Sequence, residues 1–196
     1  MSERVARIER STTETEISLE LVLDGRGEAR IDTGVGFFDH MLTHIARHGL
    51  FDLTVKGEGD VHVDYHHLVE DVGIVLGSAI ATAVGDKSGL VRYGMAACPM
   101  DEALIMVSLD LSGRSWCNCE LQMPTEKIGE FDTELLNEFF TAVASNAAMA
   151  LHLLQLSGAN SHHIAEGAFK SFARALDAAT RVDERVTGVP STKGTL

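Results

Sequence analysis

Two copies of one histidine-rich motif, H-H-[LI]-x-E, carry the residues best suited to chemistry in this sequence. The first copy is HHLVE at 66–70 and the second is HHIAE at 162–166. The glutamate lies four residues after the first histidine and three after the second, so on a helix its carboxylate can share a face with either imidazole. Adjacent histidines diverge by roughly 100° around a helix axis, which favours binding of two different ions by each pair.

Imidazole and carboxylate donors together suit an ion such as Mn, Fe, Co or Zn, and suit neither Ca²⁺ nor Cu(I). The alternative is that each motif is a polar helix start that happens to contain histidine. A single H-H-x-x-E leaves both interpretations open, whereas two copies, each followed by a long apolar helix, favour a metal site.

The composition is that of a globular chain with a substantial core. The 196 residues are 45% hydrophobic and 23% charged, and no apolar run reaches the roughly 18 residues of a membrane span. Residues 1–14 lack the apolar segment of a secretory signal, so we expect a cytoplasmic protein whose three cysteines stay reduced. The net charge of −13 argues against nucleic acid and anionic membranes as partners, so a phosphate ligand needs a locally basic pocket.

Hydrophobic periodicity predicts the elements that position the two motifs. In the first half it predicts strands at 13–23 and 28–33 forming a hairpin, a helix at 37–48, strands at 50–56 and 61–64, and a helix at 66–84. In the second half it predicts strands at 102–111 and 114–121, a helix at 131–146, a strand at 149–156, and a helix at 162–180. Residues 181–196 show no periodicity and form a polar C-terminal arm.

The two halves also align residue by residue. The aligned segments are 13–26 with 101–114, 37–48 with 135–146, and 66–79 with 162–175. We therefore predict an internally duplicated α+β fold of two ββαββα halves, about 10–90 and 91–180. Each half would be a four-stranded sheet covered on one face by two helices. No linker separates the halves, so residues 1–196 are expected to pack as one unit.

The alignment places Glu14 opposite Glu102 and His40 opposite Glu138. Because imidazole and carboxylate are both metal ligands, two pseudo-equivalent centres could be built, with His40 completing one and Glu138 the other. The alternative is that both side chains are simply exposed on helix surfaces. His44, four residues after His40, is expected to be solvated.

Several basic and hydroxyl side chains could hold a phosphate group. Arginine offers a bidentate fork and lysine a point charge, and nearby hydroxyls can add donors. The candidates are Arg92, Arg114, Lys170, Arg174, Lys193, Ser191 and Thr192. Arg174 could instead pair with Asp177 along its helix.

Seven segments together resemble the imidazoleglycerol-phosphate dehydratase family, a lyase of histidine biosynthesis. They are TGVGFFDHML (33–42), HHLVEDVG (66–73), RYG (92–94), PMDEAL (99–104), DLSGR (110–114), SHHIAEGAFKSFARAL (161–176) and PSTKG (190–194). The resemblance runs from about Arg10 to the last residues. It implies a duplicated fold of the ribosomal protein S5 domain 2-like kind and two Mn²⁺ ions per active site. It also implies a large homo-oligomer, a 24-mer, with active sites between subunits.

Matching positions carry the implied roles. The implied metal ligands are His40, His66, His67, Glu70, His162, His163 and Glu166. The implied substrate contacts are Glu14, His48, Arg92, Arg114, Lys170, Ser191 and Lys193, with Thr192 as a further hydroxyl donor. Glu138 is a candidate ligand where many members have histidine. Tyr65 and Leu68 also depart from a common D-D-H-H-T pattern, which alters the hydrogen bonds expected around the ligands.

The implied reaction converts D-erythro-imidazoleglycerol phosphate to imidazole-acetol phosphate by removing a carbon-bound proton and expelling a hydroxyl. Two metal ions, one at each ring nitrogen, would stabilise an imidazolate and the diazafulvene that forms. Glu14 is the candidate acid/base, with Glu166 and a metal-bound water as alternatives. Two other classes remain: a metal-dependent phosphate-ester hydrolase, and a metal-storage or metal-sensing oligomer.

Overall fold

Each half of the chain folds into one four-stranded sheet and two helices in the computed structural model, which describes residues 4–194. The first half contains β1 (Val5–Ser11), β2 (Thr15–Val22), β3 (Ala29–Asp32), α1 (Gly36–Gly49), β4 (Asp52–Gly59) and α2 (His66–Val84). The second half contains β5 (Tyr93–Met100), β6 (Ala103–Asp110), β7 (Trp116–Glu120), β8 (Lys127–Ile128), β9 (Phe131–Asp132), α3 (Leu135–Asn146), β10 (Ala150–Ser157) and α4 (Ser161–Thr180).

The two main sheets have the same topology. Their strand orders are β1-β2-β4-β3 and β5-β6-β10-β7. In both, the third strand pairs in parallel with the strand after the first helix, and the other pairs are antiparallel. The predicted α+β class with duplicated halves is confirmed, whereas the predicted ββαββα order is wrong. Each half runs βββαβα, and the second adds the two-stranded ribbon β8-β9.

The missed strands β1 and β5 lack a clear apolar alternation. Arg10 lies among the inward positions of β1, and those of β5 include the small residues Gly94 and Ala96. The predicted strand at 61–64 is instead a turn, in which Val61 and Val63 are 44% and 62% exposed and have no core to pack against.

Two further corrections concern pairing and boundaries. The segment predicted to close a hairpin with β2 becomes β3, which pairs in parallel with β4. In the same way, β7 pairs with β10 and not with the preceding strand. The helix predicted to begin at Phe131 begins at Leu135, because residues 131–132 pair with β8 as β9. The two pairing errors share one cause, because strand pairing between distant segments is invisible to local periodicity.

The helices lie between the two sheets. Helix α2 packs on β1, β2 and β4, α4 packs on β5 and β6, and the helices of opposite halves meet as α1 with α4 and α2 with α3. A single hydrophobic cluster of buried residues runs through both halves. Aromatic rings join them, with Phe139 contacting Phe38 and Phe169 at centroid distances of 5.4 and 5.2 Å. Each sheet is therefore covered on one face by two helices, as predicted.

Glycines permit the close approach of α2 to α3. A Cβ on Gly73 would lie 2.9 Å from the carbonyl oxygen of Phe139, and one on Gly77 would lie 2.6 Å from that of Val143. By length and composition, α2 could cross a membrane, but most of it is buried between the first sheet and α3. Its apolar character is explained by its place in the core.

We predict that Gly77→Ala lowers the free energy of unfolding by about 2 kcal/mol, because overpacking against a backbone outweighs the better helix propensity of alanine. Thr82→Ala, at an exposed position of the same helix, is the matched control and should change stability by less than about 0.5 kcal/mol. Urea denaturation of both variants checks this. Equal stability of the two variants would contradict the close helix contact.

Candidate metal and phosphate sites

Helix starts fix both histidine pairs. Asp64 accepts a hydrogen bond from the backbone N–H of His66 at 2.7 Å. At the start of α4, the Asn160 side chain accepts from the N–H groups of His162 and His163 at 2.9 and 3.3 Å. The ring planes of each pair are nearly perpendicular, at 86° in the first pair and 83° in the second. In the second pair the side chains reach different groups, since His162 Nε2 lies 3.3 Å from Glu166 and His163 Nδ1 lies 2.7 Å from Glu102. The predicted divergence of adjacent histidines is confirmed for this pair.

The first group of candidate metal ligands contains residues from both halves of the chain. His40 on α1 and His162 on α4 lie 3.5 and 3.3 Å from the Glu166 carboxylate, measured from their Nε2 atoms. One ligand atom from each of the three residues lies within 4.8 Å of the others. We call this group the Glu166 cluster.

Two more side chains reach the same carboxylate. His44 Nε2 lies 3.6 Å from Glu166 and 3.2 Å from the Nε2 of His40, and Lys170 Nζ donates a hydrogen bond to the other carboxylate oxygen. The expectation that His44 is solvated is wrong, since only 13% of its side chain is exposed. The sequence carried one signal for it, its position one turn after His40. Lys170, expected to contact substrate, is paired with Glu166 in this structure.

Opposing effects set the charge states in this cluster. Burial raises the pKa of Glu166, but the hydrogen bond from Lys170 and the charges of His44 and Lys170 lower it to about 2. Burial lowers the pKa of His44 to about 4. Burial and the charge of Lys170 also lower the pKa of His48 on the same helix face. At neutral pH the glutamate is therefore ionised and His44 is neutral, the forms in which both bind metals.

A second donor group, the Glu14 cluster, lies at the start of α2. His67 Nδ1 is 3.0 Å from an Asp60 oxygen and 3.7 Å from a Glu14 oxygen. The ligand atoms of these three residues also lie within 4.8 Å of one another. The hydrogen bond with Asp60 raises the pKa of His67, although burial acts in the opposite direction. Asp60, which directly follows β4, was not predicted because nothing in its local sequence points toward the helix.

The pseudo-equivalent position in the second half is built differently. His163 Nδ1 lies 2.7 Å from Glu102, whose carboxylate also accepts from the backbone N–H groups of Ala159 and Asn160 at 3.1 and 2.9 Å. The His163 hydrogen bond and these backbone bonds lower the pKa of Glu102 to about 2. The predicted equivalence of Glu14 and Glu102 is visible here, since each lies beside the second histidine of its pair.

The other expected ligands are not gathered into a site. Within residues 4–194, no ion pair or hydrogen bond joins Glu138 to His66 or Glu70, so the centre that Glu138 was expected to complete is not assembled within one chain. The two clusters that do form fit Mn²⁺ or a similar ion by donor type. Each supplies three donors, which is fewer than the four or more that such an ion takes, so positions are left for additional ligands.

A basic cavity of about 500 Å³ lies beside the C-terminal arm. It is lined by Arg92, Tyr93, Arg114, Pro190, Ser191, Thr192 and Lys193. The RYG, DLSGR and PSTKG segments contain five residues that were predicted to contact phosphate, and all five line this cavity. Three other residues were expected to contact the substrate and lie elsewhere. Glu14 belongs to the Glu14 cluster, Lys170 is bonded to Glu166, and His48 lies on α1.

Arg92 connects the cavity to the arm. Its guanidinium makes a bidentate pair with Asp110 at 2.7 and 3.0 Å and donates to the Pro190 carbonyl at 2.7 Å. Backbone bonds from Gly89 to Gly188 and from Val91 to Arg181, both 2.8 Å, add to this attachment. The arm is thus packed along residues 89–92. Asp110 was missed as the residue that orients Arg92.

Comparisons with known proteins identify the family to which the chain belongs. The sequence profile described as imidazoleglycerol-phosphate dehydratase matches residues 33–176. The chain is 58% identical to the imidazoleglycerol-phosphate dehydratase of Desulforamulus reducens, over all of both chains. It is 57% identical to that of Dinoroseobacter shibae, over 98% of this chain and 100% of the relative.

Solved structures extend the similarity to the fold. A crystal structure of imidazoleglycerol-phosphate dehydratase from Staphylococcus aureus superposes with a TM-score of 0.83 at 38% identity, covering 91% of this chain and 99% of that one. A crystal structure from Pyrococcus furiosus, in complex with (S)-C348, gives a TM-score of 0.85 at 37% identity, covering 96% and 100%.

We predict that Glu166→Gln lowers the affinity for Mn²⁺ by at least about tenfold, because even changes outside the ligand set typically cost 10- to 100-fold. Isothermal titration of the metal-free protein checks this. Glu120→Gln, on an exposed strand position, is the control and should bind Mn²⁺ like the parent protein. Unchanged affinity in Glu166→Gln would remove the Glu166 cluster as a metal site.

Proposed function

Because the chain belongs to the imidazoleglycerol-phosphate dehydratase family, a group of carbon–oxygen hydro-lyases of histidine biosynthesis, we propose how its residues carry out that dehydration. The proposed reaction converts D-erythro-imidazoleglycerol phosphate to imidazole-acetol phosphate and water. The proposal divides the residues into metal ligands, phosphate contacts and one acid/base. The observation that carries this division is a contrast among residues 4–194: the carboxylate of Glu14 accepts no hydrogen bond, whereas those of Glu102 and Glu166 do.

The metal ligands would come from the two donor clusters and the remaining motif residues. His40, His162 and Glu166 would hold one Mn²⁺, and His67 would contribute to another. When bound, the two ions would supply Lewis-acid stabilisation of the negative charge that develops on the imidazole ring as the proton leaves. Support for this assignment comes from the donor chemistry and the close approach of the ligand atoms.

The basic cavity would bind the phosphate group. Arg92, Arg114 and Lys193 supply three positive charges, and Ser191 and Thr192 supply hydroxyl donors. This local concentration of charge matters in a chain of net charge −13, which repels anions elsewhere on its surface. Holding the phosphate there would fix the glycerol chain relative to the metal ligands, which lowers the entropy cost of reaching the transition state.

Glu14 is better supported as the acid/base than Glu102 or Glu166. Its side chain is 53% exposed, and in the described part of the chain its carboxylate accepts no hydrogen bond. Glu102 is fixed by three donors, and Glu166 is tied to Lys170. A carboxylate held by strong donors is a poor base, because those donors stabilise its ionised form.

The complete site would require more than one subunit. Within the described range 4–194, His66, Glu70 and Glu138 are not joined to the donor clusters, and each cluster has fewer donors than such an ion takes. We infer that neighbouring copies supply them within a large homo-oligomer, a 24-mer by the resemblance, working in the cytoplasm. Adjacent histidines that reach different groups, as His162 and His163 do, suit such an arrangement, because one ring can bind an ion of its own chain while the other binds an ion of a neighbouring copy.

Removal and return of the metal tests the proposed function. We expect chelator-treated protein to lose formation of imidazole-acetol phosphate and to recover it when Mn²⁺ is added. Detecting inorganic phosphate as the product would favour an ester hydrolase. Full Mn²⁺ occupancy with no turnover would favour a storage protein, and either result would reject the dehydratase proposal.

Two substitutions test the division of labour. Lys193→Ala should raise KM about 10- to 100-fold with a smaller effect on kcat, because it removes a charge-assisted contact made in both the ground and transition states. Glu14→Gln should lower kcat about 10²- to 10⁴-fold, because it removes proton transfer. Steady-state kinetics measure both constants.

Exposed residues of the same types serve as controls. Lys56→Ala and Glu16→Gln, both on solvent-facing strand positions of the first sheet, should leave kcat and KM near the parent values. If Lys193→Ala and Glu14→Gln changed the two constants in the same way, the separate roles would be wrong.

A further inference from the structure

A triad of one acidic, one basic and one hydroxyl side chain lies beside the Glu14 cluster, with Asp71 and Thr15 buried and the Arg10 side chain 38% exposed. Asp71 is 6% exposed, and its carboxylate accepts from Arg10 Nε at 2.9 Å and from the hydroxyl of Thr15. Thr15 is itself 4% exposed. We call these three residues the Asp71 triad. The proposed function gives none of them a role.

The triad is connected directly to the turn that carries Glu14. Thr15 Oγ1 lies 3.1 Å from the hydroxyl of Thr12, which accepts from the backbone N–H groups of Glu14 and Thr15 at 3.1 and 3.0 Å. Asp71 is four residues after His67, so both side chains point from the same face of α2 toward this turn. The triad therefore fastens the β1–β2 turn to the helix that bears His67.

The second half shows that the fold does not require these charges. The positions equivalent to Arg10, Thr15 and Asp71 are Cys98, Ala103 and Gly167, at offsets of 88, 88 and 96 residues. There a Cβ on Gly167 would lie 2.9 Å from Ile105 Cγ1, so small residues close the same layer by direct packing. Because a buried ion pair rarely exceeds apolar packing as a source of stability, the triad needs another explanation.

The two halves also hold their equivalent glutamates differently. Glu102 is fixed through its own carboxylate, by His163 and two backbone N–H groups. The nearest histidine nitrogen to the Glu14 carboxylate is 3.7 Å away. Glu14 is therefore positioned through its backbone, and its carboxylate stays available for chemistry.

We propose that the Asp71 triad is a positioning device that keeps the Glu14 carboxylate beside His67 for proton transfer. The proposal rests on the proposed function, in which Glu14 is the acid/base. Asp71 acts through Glu14 and does not touch the substrate. The charge of Asp71 draws Arg10 and Thr15 together across β1 and β2, and the turn between these strands is fixed as a result.

A double-mutant cycle tests the proposal. We expect Asp71→Asn to lower kcat about 10- to 100-fold, as is typical for residues that orient a functional group, with KM and Mn²⁺ affinity within about twofold of the parent. In the Glu14→Gln background the same substitution should have no further effect on kcat, because the group that it positions is already gone. An equal loss of kcat in both backgrounds would overturn the proposal.

Thr15→Val provides a second variant that keeps the side-chain shape and the Arg10–Asp71 ion pair. It should lower kcat about tenfold, and here too Glu14→Gln should abolish the effect. Thr133→Val is the control, because Thr133 is also buried and its hydroxyl donates to a backbone carbonyl far along the chain from the triad. This control should leave kcat unchanged.

The outcomes separate this proposal from the proposed function. Parent protein that does not turn over imidazoleglycerol phosphate with Mn²⁺ would reject the function itself. Active parent protein, an impaired Glu14→Gln, and unimpaired Asp71→Asn and Thr15→Val would reject only the triad. Glu14→Gln with full kcat would overturn both the acid/base assignment and the triad.

Discussion

The contact between helices of opposite halves is the constraint on which the Glu166 cluster depends. Helices α1 and α4 run in the same direction, since His40 lies beside His162 near their starts, and Gly49 at the end of α1 lies against Ala173 further along α4. The Glu166 cluster exists only because of this contact, as His40 belongs to one half and Glu166 to the other. Aromatic packing around Phe139 and close contact at Gly77 hold the paired helices in place.

Charged side chains are distributed unevenly between the two similar halves. The Glu166 carboxylate is buried and contacts four side chains, those of His40, His44, His162 and Lys170. Burial makes each of these interactions stronger than it would be in water. Three cationic side chains surround a separate cavity beside the C-terminal arm. Three of the 16 Lys and Arg residues are thus concentrated at one cavity of a protein whose net charge is −13.

Much of the fold and part of the site follow from the sequence, and the failures have physical causes. The repeated motif and the aligned halves predicted the fold class and the divergence of the histidine rings. Strand β1 was missed because Arg10 interrupts its apolar alternation, and in the folded chain Arg10 pairs with Asp71. Asp60 and Asp71 were not predicted, and His44 was wrongly expected to be solvated, because their partners come from other elements.

The helix contacts between halves, α1 with α4 and α2 with α3, have the arrangement of a twofold dimer interface. In such an interface each copy uses the same surface, and a dimer of half-length chains would make both helix contacts at once. Any substitution in such a half-length chain would alter two places together. In one polypeptide the two places can differ, and Gly167 stands where the first half has Asp71. A duplicated chain can therefore specialise one half of a symmetrical arrangement without changing the other.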